Sequence, residues 1–281
     1  SFNAIPSAAC QGANAGGFFS GVASGSGTLS YQWYVNASNS NSGGTAYSSG
    51  FFKCTPATTS SYVGTYYYYC IITDACDGST ATTNTASFTV TAPPSAGTLN
   101  GTTTLCDNGT TTFGSSVSGG SWSSASTGVA TINSSSGLVT GVSAGTSVMT
   151  YTVSGSGGCS NATTTRTATV DADPGTASNT TPTTTICEGS TVTVAGSPSG
   201  GSWSENGSGS ISGTTYSTSN ISSDESVTVT YTIASNGQCS GSSAAKSFTV
   251  NSDPGTASNT TPTTTICEGS TVTVAGSPSG G

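Results

Sequence analysis

Cysteine is the residue type in this sequence whose number and spacing indicate a chemical role. The 281 residues include nine cysteines and no histidine. Cys106 and Cys159 stand 53 residues apart, and Cys187 and Cys239 stand 52 apart, so the same interval recurs in successive stretches of chain. Cysteines at regular spacing in small domains usually form a disulfide framework in an oxidising compartment. The spacing therefore predicts one disulfide per repeated unit and an extracellular location.

The remaining cysteines fit the same scheme. Cys10 and Cys76 occupy the matching places in the first unit, which leaves Cys54 and Cys70 for each other. Cys267 repeats the position of Cys187, and we expect its partner beyond residue 281. A loop of about 50 residues closed by a disulfide stabilises a domain by about 4 kcal/mol. The predicted disulfides are Cys10–Cys76, Cys54–Cys70, Cys106–Cys159 and Cys187–Cys239.

Other catalytic or ligand-binding chemistry is poorly represented. Without histidine there is no Ser-His-Asp or Cys-His arrangement, and the absence of a Cys-x-x-Cys pair disfavours zinc. The few carboxylates lie in turn-like sequence, so we predict no enzyme activity, no catalytic residue and no bound cofactor. Calcium is the one ion with candidate ligands, because acidic residues recur at the ends of the repeated units. These weak candidates are Asp171, Asp173 and Asp253.

The charge of the chain excludes several classes of partner. Three basic residues against eleven acidic ones give a formal net charge of −8. A nucleic-acid-binding protein needs a basic surface, and attraction to anionic lipid needs one too. We therefore expect no nucleic acid partner. No apolar run approaches the 18 residues of a membrane-spanning segment, so no membrane insertion is expected either.

An internal repeat defines the organisation of the chain. Residues 173–201 recur without a change as residues 253–281, and a looser copy begins at Pro94. Each unit ends in a short apolar strand followed by a proline-containing linker, which places boundaries near residues 93, 173 and 253. The predicted domains are 1–93, 94–173 and 174–253, and residues 254–281 are the truncated start of a further copy of the third.

Within each unit the apolar residues alternate with polar ones. Val227, Val229 and Tyr231 alternate with threonines, which is typical of an antiparallel strand with one buried face. Clusters of Gly, Ser and Asn separate such strands, and no segment has helical periodicity. The pattern predicts an all-β fold of tandem immunoglobulin-like β-sandwiches. One tryptophan per unit is expected to anchor each core, namely Trp33, Trp122 and Trp203.

The motifs of the second unit resemble a known family. Gly-Ser-Trp-Ser-Ser at 120–124, Val-Ala-Thr-Ile-Asn at 129–133 and Gly-Leu-Val-Thr-Gly at 137–141 resemble the bacterial Ig-like group 2 (BIG2) domain. The first unit is similar to Ig-like or PKD-like modules, with Trp33 and the Tyr-Tyr-Cys ending at Cys70. The linkers are similar to those of giant surface proteins of Bacteroidota, including gliding-motility adhesins of the SprB type. The resemblance implies type IX secretion and a place in a cell-surface adhesin or filament.

These observations lead to one functional hypothesis and two alternatives. We expect a structural or adhesive segment, a stalk or filament of a large extracellular cell-surface protein, whose partners are further repeats of the same chain and like chains in a filament. In the first alternative the aromatics of the first unit bind a surface polysaccharide. Those aromatics are Phe18, Phe19, Phe51, Phe52 and the run 66–69. In the second, the units are accessory domains of a secreted enzyme.

Overall fold

The computed structural model describes residues 6–218, 221–253, 255, 258–261 and 265–277. The chain divides into two compact units, Ser1–Val170 and Asp171–Gly281. Among the described residues there is no α-helix, and the one helical element is a 3₁₀ turn at Ser60–Tyr62. The all-β prediction is confirmed. Of the predicted truncated copy at 254–281, the structure describes residues 255, 258–261 and 265–277, and the other positions lie outside the described residues.

Residues 6–93 of the first unit form a sheet of six strands and a smaller one of two. The large sheet has the order β1-β8-β6-β3-β4, with β7 paired to β6, and the small sheet pairs β2 with β5. The first strand runs parallel to the last, which brings Cys10 beside Thr91. The strands are β1 Ala8–Cys10, β2 Phe19–Ser20, β3 Leu29–Asn36, β4 Thr45–Ser49, β5 Lys53–Cys54, β6 Gly64–Asp74, β7 Thr80–Thr82 and β8 Ala86–Thr91.

The rest of the first unit is a second sandwich. Its sheets have the orders β10-β17-β16-β13 and β11-β15-β14, and β9 pairs with β12. The strands are β9 Leu99–Asn100, β10 Thr104–Cys106, β11 Thr110–Thr112, β12 Gly114–Ser115, β13 Ser121–Ser124, β14 Ala130–Ile132, β15 Leu138–Gly141, β16 Gly145–Val153 and β17 Ala162–Asp171.

The second unit repeats this topology strand for strand. Its sheets have the orders β19-β26-β25-β22 and β20-β24-β23, and β18 pairs with β21. A short pair, β27 with β28, follows. The strands are β18 Ser178–Asn179, β19 Ile186–Cys187, β20 Thr191–Thr193, β21 Gly196–Ser197, β22 Ser202–Glu205, β23 Ser210–Ser212, β24 Thr215–Ser217, β25 Glu225–Ile233, β26 Ser242–Asn251, β27 Ser258–Asn259 and β28 Gly276–Ser277.

The predicted core anchors lie in separate apolar cores. Trp33 is fully buried and Trp122 is 7% exposed, whereas Trp203 is only half-buried against its core. Trp122 packs on Tyr151 of the neighbouring strand with ring centroids 4.8 Å apart, and Trp203 packs on Tyr231 at 4.7 Å. This repeated aromatic pair is the inter-strand packing that the shared sequence motif encodes.

Candidate functional site: the cysteine junction and the aromatic loop

A disulfide joins the two sandwiches of the first unit. Cys10 bonds Cys159 across 149 residues of sequence, with their Cα atoms 4.7 Å apart. Cys10 lies at the end of β1, where the parallel pairing with β8 sets it opposite Thr91. Cys159 lies in the loop between β16 and β17 of the following sandwich. The bond therefore links the end of one sandwich to a loop of the next.

The loop that carries Cys159 fits closely against the preceding sandwich. The Sγ atom of Cys159 lies 3.4 Å from the carbonyl oxygen of Thr91. A Cβ atom on Gly157 would collide with the Thr91 side chain, and Gly157 has a φ of +58°. A Cβ atom on Gly158 would come within 3.7 Å of the Cys10 main-chain nitrogen. Glycine is required at 157 both for the left-handed backbone and for the close approach.

The predicted intradomain pairings are wrong. Cys159 is bonded to Cys10, which overturns both Cys10–Cys76 and Cys106–Cys159. Cys187 is an exposed free thiol, which overturns Cys187–Cys239. Cys106 and Cys239 are each disulfide-bonded.

Strand length explains the error. Cys106 lies at the end of β10, which pairs with β17, and Cys159 lies just before β17 begins. The ten residues of β17 span about 30 Å at the usual rise per residue. A disulfide needs Cα atoms within about 7 Å of each other. Cysteines at opposite ends of the last strand of a sandwich therefore cannot bond each other.

The prediction for Cys54 and Cys70 is also wrong, because both remain thiols inside the core of the first sandwich. Burial, together with the nearby Cys70 thiol, raises the pKa of the Cys54 thiol to about 12. Burial likewise raises the pKa of the Cys70 thiol to about 11. Since the thiolate is the reactive form, both groups behave as small apolar side chains.

Three other cysteines are exposed thiols, namely Cys76, Cys187 and Cys267. Cys76 lies in the turn after β6, and its main-chain N–H donates to the buried carboxylate of Asp74 at 2.8 Å. Cys187 lies at the end of β19, parallel to β26 and opposite Asn251. Its position at the end of the first edge strand is the one that Cys10 occupies in the first sandwich.

The aromatic residues of the first sandwich divide between core and surface. Phe19 and Tyr68 are buried, and their rings pack 5.3 Å apart. Phe51 is 72% exposed and Phe52 47% exposed, next to Lys53. The Lys53 ammonium lies 5.1 Å from the ring centroid of Phe52 and 4.1 Å from that of Phe18. Phe18, Phe51, Phe52 and Lys53 together form what we call the aromatic loop.

The carboxylates of the calcium candidates accept hydrogen bonds from main-chain N–H groups. Asp171 accepts a hydrogen bond from the Gln238 main-chain N–H at 2.7 Å. Asp173 and Asp253 accept from the N–H two residues on, at 2.8 and 2.9 Å. In the part of the chain that the structure describes, no three acidic, cysteine or histidine residues are grouped as a metal site. The absence of a bound cofactor remains a prediction. Calcium remains the one ion that the sequence predicts as a candidate.

Comparison with known proteins gives structural similarity and no sequence family. No family model matches, and no curated protein matches. Extracellular domains 3–5 of Drosophila OTK are 10% identical with a TM-score of 0.36, covering 80% of this chain and 85% of that one. Human CDH23 EC21–23 is 13% identical with a TM-score of 0.39, covering 79% and 88%. Drosophila N-cadherin EC1–4 is 12% identical with a TM-score of 0.29, covering 88% and 71%. At TM-scores below 0.5, none of these similarities assigns a function to this chain.

No helix long and apolar enough to cross a membrane is found among the residues that the structure describes.

Proposed function

We propose that this chain is a structural or adhesive segment, a tandem spacer in a large secreted cell-surface protein, and that it has no enzyme activity. The observation that carries the proposal is the disulfide between Cys10 of one sandwich and Cys159 of the next. A covalent bond between successive sandwiches keeps them together even when the linker is cut or one sandwich unfolds. That property serves a segment exposed to force and proteases outside the cell, and disulfides persist in such compartments.

The resemblance of the motifs supports a more specific proposal. The second sandwich carries the BIG2-like run from Gly120 to Gly141, and the linkers are similar to those of Bacteroidota gliding-motility adhesins. We place the chain among such surface proteins, with type IX export and further repeats or like chains in a filament as partners. The unchanged recurrence of residues 173–201 at 253–281 favours a spacer, because a unit with a unique binding site is seldom copied entire.

Surface labelling of the producing cells tests the location. An antibody against residues 94–173 should label intact, unpermeabilised cells, and protease treatment of those cells should remove the label. Labelling only after permeabilisation would refute the extracellular assignment.

Cleavage of the linker between the first two sandwiches tests the structural role. A protease site inserted after Ala92 should be cut under native conditions, and the two fragments should still migrate together without reductant. They should separate on reduction. A Cys159→Ser variant with the same site is the matched control, and its fragments should separate without reductant. Separation of the parent fragments without reductant would contradict the role.

Binding of a surface polysaccharide is a second candidate, favoured by the aromatic loop. Exposed aromatic rings stack on sugar faces, and Phe51 is the most exposed phenylalanine among the described residues. A Phe51→Ser, Phe52→Ser variant should lose binding to polysaccharide extracted from the producing cells. Val22→Ser is the control, because Val22 is 67% exposed and lies outside the aromatic loop. Equal binding by all three proteins would remove this candidate.

A further inference from the structure

The geometry points to Cys187 as an open half of a disulfide junction, whose partner is the loop cysteine of a further sandwich of the same kind. This goes beyond the proposed function in naming the residue through which another sandwich attaches, and it rests on the tandem organisation in that proposal. The first unit contains both halves of such a junction, joined as Cys10 and Cys159. Each half recurs elsewhere in the chain in a recognisable setting.

The strand half of the junction has the same main-chain surroundings in both places. In the first sandwich Cys10 is in parallel register with Thr91, and the next N–H, of Gln11, donates to the Thr91 carbonyl at 2.9 Å. In the second unit Cys187 is in parallel register with Asn251, and the N–H of Glu188 donates to the Asn251 carbonyl at 2.9 Å.

The loop half also recurs. The Sγ of Cys159 lies 3.4 Å from the carbonyl oxygen of Thr91, the residue that follows Val90. The Sγ of Cys239 lies 3.3 Å from the carbonyl oxygen of Asp171, which follows Val170 in the same way. Both contacts span 68 residues of sequence. In both places a loop cysteine therefore lies against the carbonyl oxygen of the residue that follows the last valine of a long strand.

Asn251 occupies the same position as Thr91 and Asp171, since it follows Val250 at the end of β26. Beside it, the Cys187 thiol is free and exposed. The chain that continues from Asn251 begins as the third sandwich begins, because residues 253–281 are identical to 173–201. The occupant is thus a sandwich of the third type, offering the equivalent of Cys239.

The bond forms by oxidation of two thiols. Cys187 and the loop cysteine each give up one proton and one electron, and a disulfide oxidant such as oxidised glutathione accepts both electrons and both protons to become two thiols.

Completing the fourth sandwich tests the proposal. The full chain is extended after Gly281 with a second copy of residues 202–253, and the product is refolded with oxidised and reduced glutathione. Peptide mapping without reduction should find Cys187 linked to the added copy of Cys239. Native alkylation of Cys187, complete in the 281-residue chain, should disappear. A matched extension with serine at the added cysteine should restore it.

A second extension keeps the test decisive if the first fails to fold. It replaces residues 254–281 with a copy of residues 94–173, which supplies the equivalent of Cys159. Cys187 linked to the added loop cysteine in either protein supports the inference. Cys187 alkylated in both, or linked to any other cysteine, overturns it. Because Cys10–Cys159 is mapped in the same samples, loss of that bond would count against the proposed function instead.

Discussion

Replacing Cys10 by serine should destabilise the first unit through the loss of one cross-link. The disulfide closes a loop of 149 residues, and the chain-entropy relation gives about 5 kcal/mol for a loop of that length. If the first sandwich unfolds while the second stays folded, the constrained chain runs from Cys10 to the linker. That loop of about 80 residues still corresponds to about 4.5 kcal/mol. The loss should lower the melting temperature by roughly 10–20 °C.

The size of this effect does not by itself identify the pairing, because a Cys10–Cys76 bond would give a similar number. The pairing is identified by the second cysteine whose replacement gives the same loss of stability as Cys10→Ser. Cys159→Ser should match Cys10→Ser, and the double variant should be no less stable than either, since all three lose the same bond. Cys76→Ser should be unchanged, because Cys76 is an exposed thiol.

Urea unfolding of the oxidised proteins, followed by tryptophan fluorescence, measures these differences. Trp33 reports on the first sandwich and Trp122 on the second. The double variant also removes the unpaired thiol that could mispair in either single variant. The Cys10–Cys159 pairing is refuted if Cys76→Ser is destabilised as much as Cys10→Ser while Cys159→Ser keeps the stability of the parent.

Three other predictions concern the packing around this framework. Tyr151→Phe should cost about 1–3 kcal/mol in urea unfolding, because its hydroxyl makes two main-chain hydrogen bonds of 2.8 and 2.9 Å. Tyr216→Phe should leave the free energy of unfolding nearly unchanged, since that buried hydroxyl makes no hydrogen bond of normal geometry. An equal loss of stability in the two variants would show that the hydrogen bonds of Tyr151 are not the cause. Gly157→Ala should lower the yield of the junction disulfide on refolding, measured by peptide mapping. Gly119→Ala is the matched control, since Gly119 also has a positive φ, of +86°. It should leave the yield unchanged, because no atom lies within 4 Å of the added Cβ. The Cys54 thiol should not affect the free energy of unfolding at pH values below 9.0, the ordinary pKa of a thiol. Between pH 9.0 and about 12 the free energy of unfolding should fall as pH rises, because the thiol ionises in the unfolded chain and stays protonated in the folded one. Urea midpoints at stepped pH should fall less steeply in Cys54→Ala, and identical slopes would show that this thiol is not responsible.

Much of the fold follows from local features of the sequence. Alternation at Val227, Val229 and Tyr231 predicts a strand with one buried face, and all three side chains are buried in β25. The division into domains at 93, 173 and 253 stays a prediction, although separate apolar cores lie within 1–93, 94–173 and 174–253.

The aromatic residues of the first sandwich show where local patterns lose their power. Tyr66 and Tyr67 are half-buried while Tyr68 and Tyr69 are buried, so the run does not alternate as a two-residue period requires. The stacked pair of Tyr69 with Tyr34, 5.2 Å apart on the neighbouring strand, accounts for the burial of Tyr69. Contacts with a neighbouring strand depend on register, which the sequence of one strand does not contain.

The all-β architecture, the repeat and the presence of disulfides can be predicted from the sequence, because they depend on periodicity, composition and the number of cysteines. Which cysteines meet depends on the tertiary structure. Parallel pairing of the first strand with the last brings Cys10 to the far end of its sandwich, beside Thr91. Cys76 of the same sandwich lies in the turn after β6, at the other end of the strand whose Gly64 pairs with Val90. Sequence spacing counts residues along the chain, whereas a disulfide depends on distance in space, and that distance is short between Cys10 of the first sandwich and Cys159 of the second.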